Sequence, residues 1–183
     1  MSSFFKRPDP NISDKEFYLR SFTWGLLLNI AGGFLALCAI LTGHKPERFG
    51  NCINFSMGKG WGGVSVGIFT FTCRDASKTL KAHEHGHSIQ NCYYGPLMPF
   101  IVNFPSTLRY WYRRIIQRIL PDKKMTPYDS AWFEGEASRL GKEYFNRNRL
   151  DDSARVARCR RHLPMRNSAM RRRLHQQGDC DSL

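Results

Sequence analysis

The chain has no C-x-x-C pair, no G-K-S/T following its glycines and no internal repeat. Its six cysteines (Cys38, Cys52, Cys73, Cys92, Cys159 and Cys180) are scattered, and Cys38 lies inside an apolar run. Neither a disulfide framework nor a cysteine-rich zinc module is therefore expected. Gly58, Gly60, Gly62 and Gly63 are expected to form a turn, because a phosphate loop needs the missing G-K-S/T. Acid is also scarce: 15 Asp and Glu stand against 28 Lys and Arg in 183 residues, a net charge of +13. Apolar residues make up 42%, too many for a disordered polymer and too few for a bundle of membrane spans. At this length one domain is the default. A polytopic transporter, a multidomain enzyme and a collagen-like chain are set aside on these grounds.

The positive charge suggests an anionic partner, nucleic acid or a membrane surface. Residues 1–108 carry 10 basic and 6 acidic side chains, a net of +4, and residues 109–183 carry 18 and 9, a net of +9. The C-terminal basic stretch has little aromatic interleaving and no recognised binding module, so nucleic acid is not the expected partner. Anionic lipid fits better, because two long stretches carry no charge at all. The first, residues 21–43, is 23 residues long. About 20 apolar residues cross a bilayer, so a transmembrane helix is expected there, with Trp24 as an interfacial anchor. The N-terminal segment 1–20 carries Asp9, Asp14 and Glu16, which does not suit a signal peptide. The second stretch, residues 88–108, holds Pro96, Pro99 and Pro105. Three prolines make a continuous helix costly, so an apolar re-entrant segment is expected. Residues 150–183 are polar and Arg-rich and read as a disordered basic tail. That leaves residues 44–149 to carry the chemistry.

The informative stretch runs from Asp75 to Tyr94, with Asp75 as the expected helix cap and Gly95-Pro96 as the stop. Leu80, His83, His87 and Gln90 recur at helical spacing. His83 and His87 are i and i+4, so both imidazoles leave one face and can share a Zn²⁺ ion. Glu84 projects beside that position as a general base, which is the H-E-x-x-H logic of zinc hydrolases. His85, two positions from His83, points elsewhere and is given no ligand role. Catalytic zinc commonly takes a carboxylate as third ligand. A second helix is expected to start near Pro127 and Asp129, with Trp132, Phe133, Leu140 and Tyr144 on its apolar side. Glu134 on that helix is followed by Ala137, giving E-x-x-A, and a small residue there lets two helices approach closely. Glu136 is the alternative third ligand.

H-E-x-x-H followed by a helix with E-x-x-A resembles the gluzincin type of zinc metallopeptidase. Over residues 50–145 the run GWGGVSVG, HEHGHSIQNCYYGPL, FPS and PYDSAWFEGEA also looks like small bacterial membrane proteins with an HExxH site. The resemblance implies His83, His87 and Glu134 as metal ligands and Glu84 as the base. It departs from the pattern in two ways. His87 and Glu134 are 134 − 87 = 47 positions apart, and the acidic residue that often steadies a zinc histidine is not at Ala137. A strand is expected within Trp61–Cys73, where Val64, Val66 and Ile68 alternate with Ser65 and Gly67 and the phase slips after Ile68. It is expected as core packing or, by the same resemblance, as an edge strand holding an extended substrate. Tyr93, Tyr94 and Tyr128 are candidate donors to transition-state charge.

The expected fold is mainly α with a small β element, a membrane-anchored, zincin-like helical core. The expected function is that of a membrane-associated zinc-dependent hydrolase, a metallopeptidase using metal-activated water on a peptide or protein substrate. The expected location is single-pass in the membrane. The Arg109–Arg118 cluster favours the cytoplasmic side for the catalytic face. The competing expectation is a non-catalytic, membrane-anchored basic adaptor with a structural or vestigial metal site.

Overall fold

The computed structural model describes residues 7–162 and is mainly helical with one small mixed sheet. Two compact units divide the chain after Asn146. The first helix, α1 (Asp14–Phe22), opens on Ser13, whose hydroxyl accepts the Glu16 N–H at 3.3 Å. A second, α2 (Leu26–Leu41), follows at an angle of 89°. The charge-free stretch 21–43 is therefore not the single transmembrane helix expected for it. Residues Thr23 to Gly25 turn a corner, and the carbonyls freed there are satisfied by buried amides. Asn29 Nδ2 donates to Ser21 O at 2.6 Å and Asn91 Nδ2 to Gly25 O at 3.4 Å, while the indole of Trp24 at the corner itself donates to Tyr93 O at 3.1 Å. At 1.5 Å per residue α2 spans about 24 Å, short of the ~30 Å hydrocarbon layer. Among the described residues no single helix is long and apolar enough to cross a membrane, and only the bent pair α1–α2 meets that test together.

Four strands follow: β1 (Pro46–Phe49), β2 (Cys52–Ser56), β3 (Gly63–Val66) and β4 (Phe69–Thr72). Their order is β1-β2-β4-β3, with β2 and β4 parallel and the other pairs antiparallel. The single strand expected within Trp61–Cys73 is instead a hairpin. The phase slip at Ile68 is its turn, which Gly67 allows with a φ of +68°. The hairpin β1–β2 has no clear alternation to mark it in the sequence. The glycine-rich segment does form a turn, with Gly58, Gly60 and Gly62 all at positive φ. Side chains alternate across the sheet. Phe55, Phe71 and Phe69 pack against Ala36 and Ala39 of α2, and Gly32 lies so close to the Val66 carbonyl that a Cβ would overlap it. The opposite face is more polar. Asn54 Oδ1 accepts from Thr70 and Thr72, each at 3.1 Å, and Ser65 meets Ser88 at 2.8 Å.

The central helix, α3 (Lys78–Tyr94), covers that polar face. Its cap is Ser77, which accepts the Leu80 N–H at 3.1 Å, while Asp75 accepts from Gly60 N at 3.4 Å and ties down the glycine turn. The apolar stretch 88–108 is not one segment. Ser88 to Cys92 are buried in α3, Gly95–Leu97 form a 3₁₀ turn, Pro99–Asn103 form a π-helical turn, and α4 (Phe104–Ile119) begins just beyond. A further helix, α5 (Trp132–His162), runs on from the first unit, so residues 150–162 of the expected disordered tail are helical. Residues 163–183 of that tail lie outside the described residues. Phe133, Leu140 and Tyr144 are buried as expected, whereas Trp132 is exposed. Ile12, Phe17, Ile68, Ile89, Leu140 and Tyr144 share the main core. Cys38, Cys52, Cys73 and Cys92 are free thiols.

Candidate metal centre

The site is built where α3 crosses α5, and small residues permit the crossing. A Cβ on Gly86 would overlap the Ala137 carbonyl, and one on Gly141 would overlap the Ala82 carbonyl. Ala137 is fully buried. Two helix backbones in such contact bring the first turn of α5 over the His83–His87 face of α3. Glu134 sits in that first turn, where the helix dipole favours a carboxylate.

The structure brings three of the sequence-predicted residues together. Glu134 Oε2 lies 3.0 Å from His83 Nε2 and 3.3 Å from His87 Nε2, and the three ligand-type atoms are all within 4.8 Å of one another. Neighbouring ligands about 2.0–2.1 Å from a tetrahedral metal ion lie about 3.3 Å apart, close to the two spacings from Glu134, so the group could hold a metal ion. Burial acts to raise the Glu134 carboxyl. The His83 and His87 hydrogen bonds, the charge of His87 and the Ser106 hydroxyl outweigh it and hold Glu134 well below the usual carboxylate range. Glu134 Oε2 meets a hydrogen-bond donor only when an imidazole carries a proton on Nε2. A divalent cation would take that proton's place, since metal ligation needs neutral histidine. Glu84, the expected base, is buried in the same wall of α3. Burial pushes its carboxyl up to about 7, with His83 lowering it and Glu134 raising it, and its Oε2 has no hydrogen-bond partner. Gly63 leaves room for this carboxyl, which a Cβ there would strike.

Each ligand has a supporting contact. His87 Nδ1 lies 2.8 Å from Gln90 Oε1, and Gln90 Nε2 donates to Phe133 O at 2.9 Å and to Glu136 Oε2 at 2.8 Å. Those two acceptors fix the orientation of the Gln90 amide, so its oxygen faces His87 and His87 Nδ1 must carry a proton. The lone pair of neutral His87 is then on Nε2, toward Glu134. Tyr94 also donates to Glu136 Oε2 at 2.8 Å. Glu136 is thus not brought among the ligand atoms. It steadies His87 through Gln90, the task the sequence left without a residue at Ala137. His83 Nδ1 meets Ser138 Oγ at 2.8 Å, and Ser106 on α4 donates to Glu134 Oε1.

Of the three candidate tyrosines, Tyr128 is at the site, with its hydroxyl 3.3 Å from Ser106 Oγ. Burial, with Glu134 and Glu84 close by, pushes it up to about 12 against the pull of the Ser106 hydrogen bond. Tyr94 is committed to Glu136, and Tyr93 lies under Arg20, away from the cluster. His85 takes no part: it is fully buried, stacked near Phe17 and Tyr144, and accepts the Asn51 N–H at 3.3 Å. Gln90, Ser138, Ser106 and Glu136 went unread as supporting residues. Gln90 carries a signal in the His83–His87 spacing and Ser138 in its place four residues beyond Glu134, while Ser106 lies in the FPS run and Glu136 stands as the alternative ligand.

Gln90→Leu is expected to keep the fold and weaken zinc affinity by about 10–100-fold, the usual cost of losing an outer contact to a ligand. Competition with a chelator of known zinc affinity measures it, and unchanged affinity would remove Gln90 from this role. Compared with protein families, with curated proteins and with solved structures, the chain matches none.

Proposed function

We propose that this protein is a membrane-associated, zinc-dependent hydrolase acting on peptide bonds. The observation that supports it most is the convergence of His83, His87 and Glu134 within 4.8 Å, beside a buried Glu84. His83, His87 and Glu134 would hold Zn²⁺, which when bound supplies Lewis acidity and favours ionisation of water. Glu84, poised near neutrality at about 7, takes a proton from the attacking water and returns it to the amine nitrogen as the C–N bond breaks. Tyr128, protonated at neutral pH, offers its hydroxyl to the developing oxyanion. At the edge of the sheet, β3 is available to hold an extended peptide through main-chain hydrogen bonds. The gluzincin resemblance of the motif implies the same ligands and the same base. The basic α4 favours the anionic cytoplasmic leaflet, which puts the catalytic face on that side.

Metal analysis tests this reading. The purified full-length chain is expected to carry one zinc ion, and His83→Ala to carry none while keeping its helical circular dichroism. A wild-type chain that takes up no zinc on dialysis against it ends the proposal.

A further inference from the structure

The helix α4 has no buried residue along its 16 positions. Phe104, Leu108, Trp111, Ile115 and Ile119 fall on one stripe of it, and each is more than half exposed. Ser106, Tyr110 and Arg113 face the other way, toward Glu134, Trp61 O and Thr126 O. Arg114 and Arg118 flank the stripe. No acidic residue occurs between Glu84 and Asp122.

The outer face of α2 is also uncovered. Its buried side packs on the sheet, while Leu27, Ile30, Phe34, Leu37 and Leu41 lie on the opposite side, each more than half exposed. One core cluster links α2 to the turns that lead into α4, where Leu28 of α2 packs with Met98 and Val102. Exposed Leu97 and Phe100 in those turns extend the apolar surface between them. Soluble monomers rarely expose a contiguous apolar patch beyond a few hundred Å².

We infer that the outer faces of α2 and α4 dock on one leaflet of an anionic bilayer, with α4 lying in its plane. An apolar stripe bordered by arginine and free of acid suits lipid tails below anionic headgroups. Two copies packed face to face would oppose their own arginines. Resting on the hydrolase reading, the same placement names the substrate class. Ser106 on the inner side of α4 touches Glu134, so the ligand cluster lies about one helix width, ~10 Å, behind the lipid-facing stripe. The substrate is a peptide held at the bilayer surface.

The test is flotation of the full-length chain with vesicles of phosphatidylcholine alone, or mixed in equal parts with phosphatidylglycerol, in a metal-free buffer. Binding is expected to the mixed vesicles and to fall with salt. Arg114→Gln with Arg118→Gln should weaken it about thirtyfold, at about 1 kcal/mol per basic residue. Ile115→Glu with Ile119→Glu should weaken it further while leaving the circular dichroism unchanged. Brominated lipid should quench wild-type fluorescence, and Trp111→Phe should lose part of that quenching. Equal binding to both vesicle types, or binding indifferent to the Ile115 and Ile119 changes, overturns the inference. So does a wild-type chain that ignores vesicles and forms a dimer broken by Ile115→Glu. Zinc content is read separately, so loss of the metal reading leaves the docking surface standing, and the reverse.

Discussion

Glu84→Gln is expected to leave zinc content and fold intact while lowering peptide hydrolysis by about 10²–10⁴-fold, the usual contribution of a positioned general base. The amide keeps the shape of the carboxyl in a fully enclosed position. Burial already favours the neutral form of Glu84, which has no hydrogen-bond partner at Oε2. Replacing it by a neutral group therefore removes no paired charge, and stability should change little. What disappears is the ability to take a proton from water. Mass spectrometry of a peptide mixture cut by the wild type measures the rate, and metal analysis runs on the same samples. Full activity in Glu84→Gln would remove Glu84 from the role of base, whereas a zinc-loaded wild type that cuts nothing would favour the alternative of a basic adaptor whose metal site is structural. His83→Ala is the complementary change, because it removes a ligand and the metal with it. Together they separate holding the ion from using it.

Gly86→Val is expected to cost about 3 kcal/mol or more and to abolish zinc binding in whatever remains folded. The obstacle is the Ala137 carbonyl, which belongs to a helix backbone and cannot rotate away as a side chain would. To admit a β-branched residue, α5 must move off α3. Glu134 rides on α5 three residues before Ala137, so the same movement pulls the third ligand from the two imidazoles. Gly33→Ala is the control. Its nearest neighbours are Phe69 ring atoms at 3.7 and 3.9 Å, ordinary contacts, so added helix propensity should make it neutral or stabilising by up to ~1 kcal/mol. Urea denaturation of both variants checks the pair. Equal stabilities would mean that the crossing of α3 and α5 is looser than its geometry indicates.

The two effects share a cause. The site depends on a buried polar cluster at a helix crossing, with His83, His87, Glu134 and Glu84 all withdrawn from solvent. Such groups are costly to bury unless each has a partner. Ser138, Gln90 and Ser106 supply partners for three of them. Gln90 in turn relies on Glu136 and Tyr94, which makes the first turn of α5 and the end of α3 one continuous hydrogen-bonded unit.

The sequence by itself determined the pair His83 and His87, since i and i+4 on any α-helix share a face. It also determined the end of α3 at Gly95, the glycine turn, and the preference for Glu134 over Glu136, which followed from E-x-x-A and the space that Ala137 leaves. These are local rules, and local rules survive whatever packs around them. The tertiary structure decided the rest. A charge-free run of 23 residues satisfies the length rule for a span, but Asn29 and Asn91 offer the corner at Thr23–Gly25 hydrogen bonds that a straight helix would not need. Three prolines at 96, 99 and 105 announced an interruption, yet only packing showed that Ser88 to Cys92 are core and that α4 lies outside it. An alternation that slips in phase reads equally as a bent strand or a hairpin until β4 finds β2, a partner distant in sequence. The pairing of Gln90 with Glu136 has no local signature, because a hydrogen bond between residues 46 positions apart exists only once α5 has crossed α3.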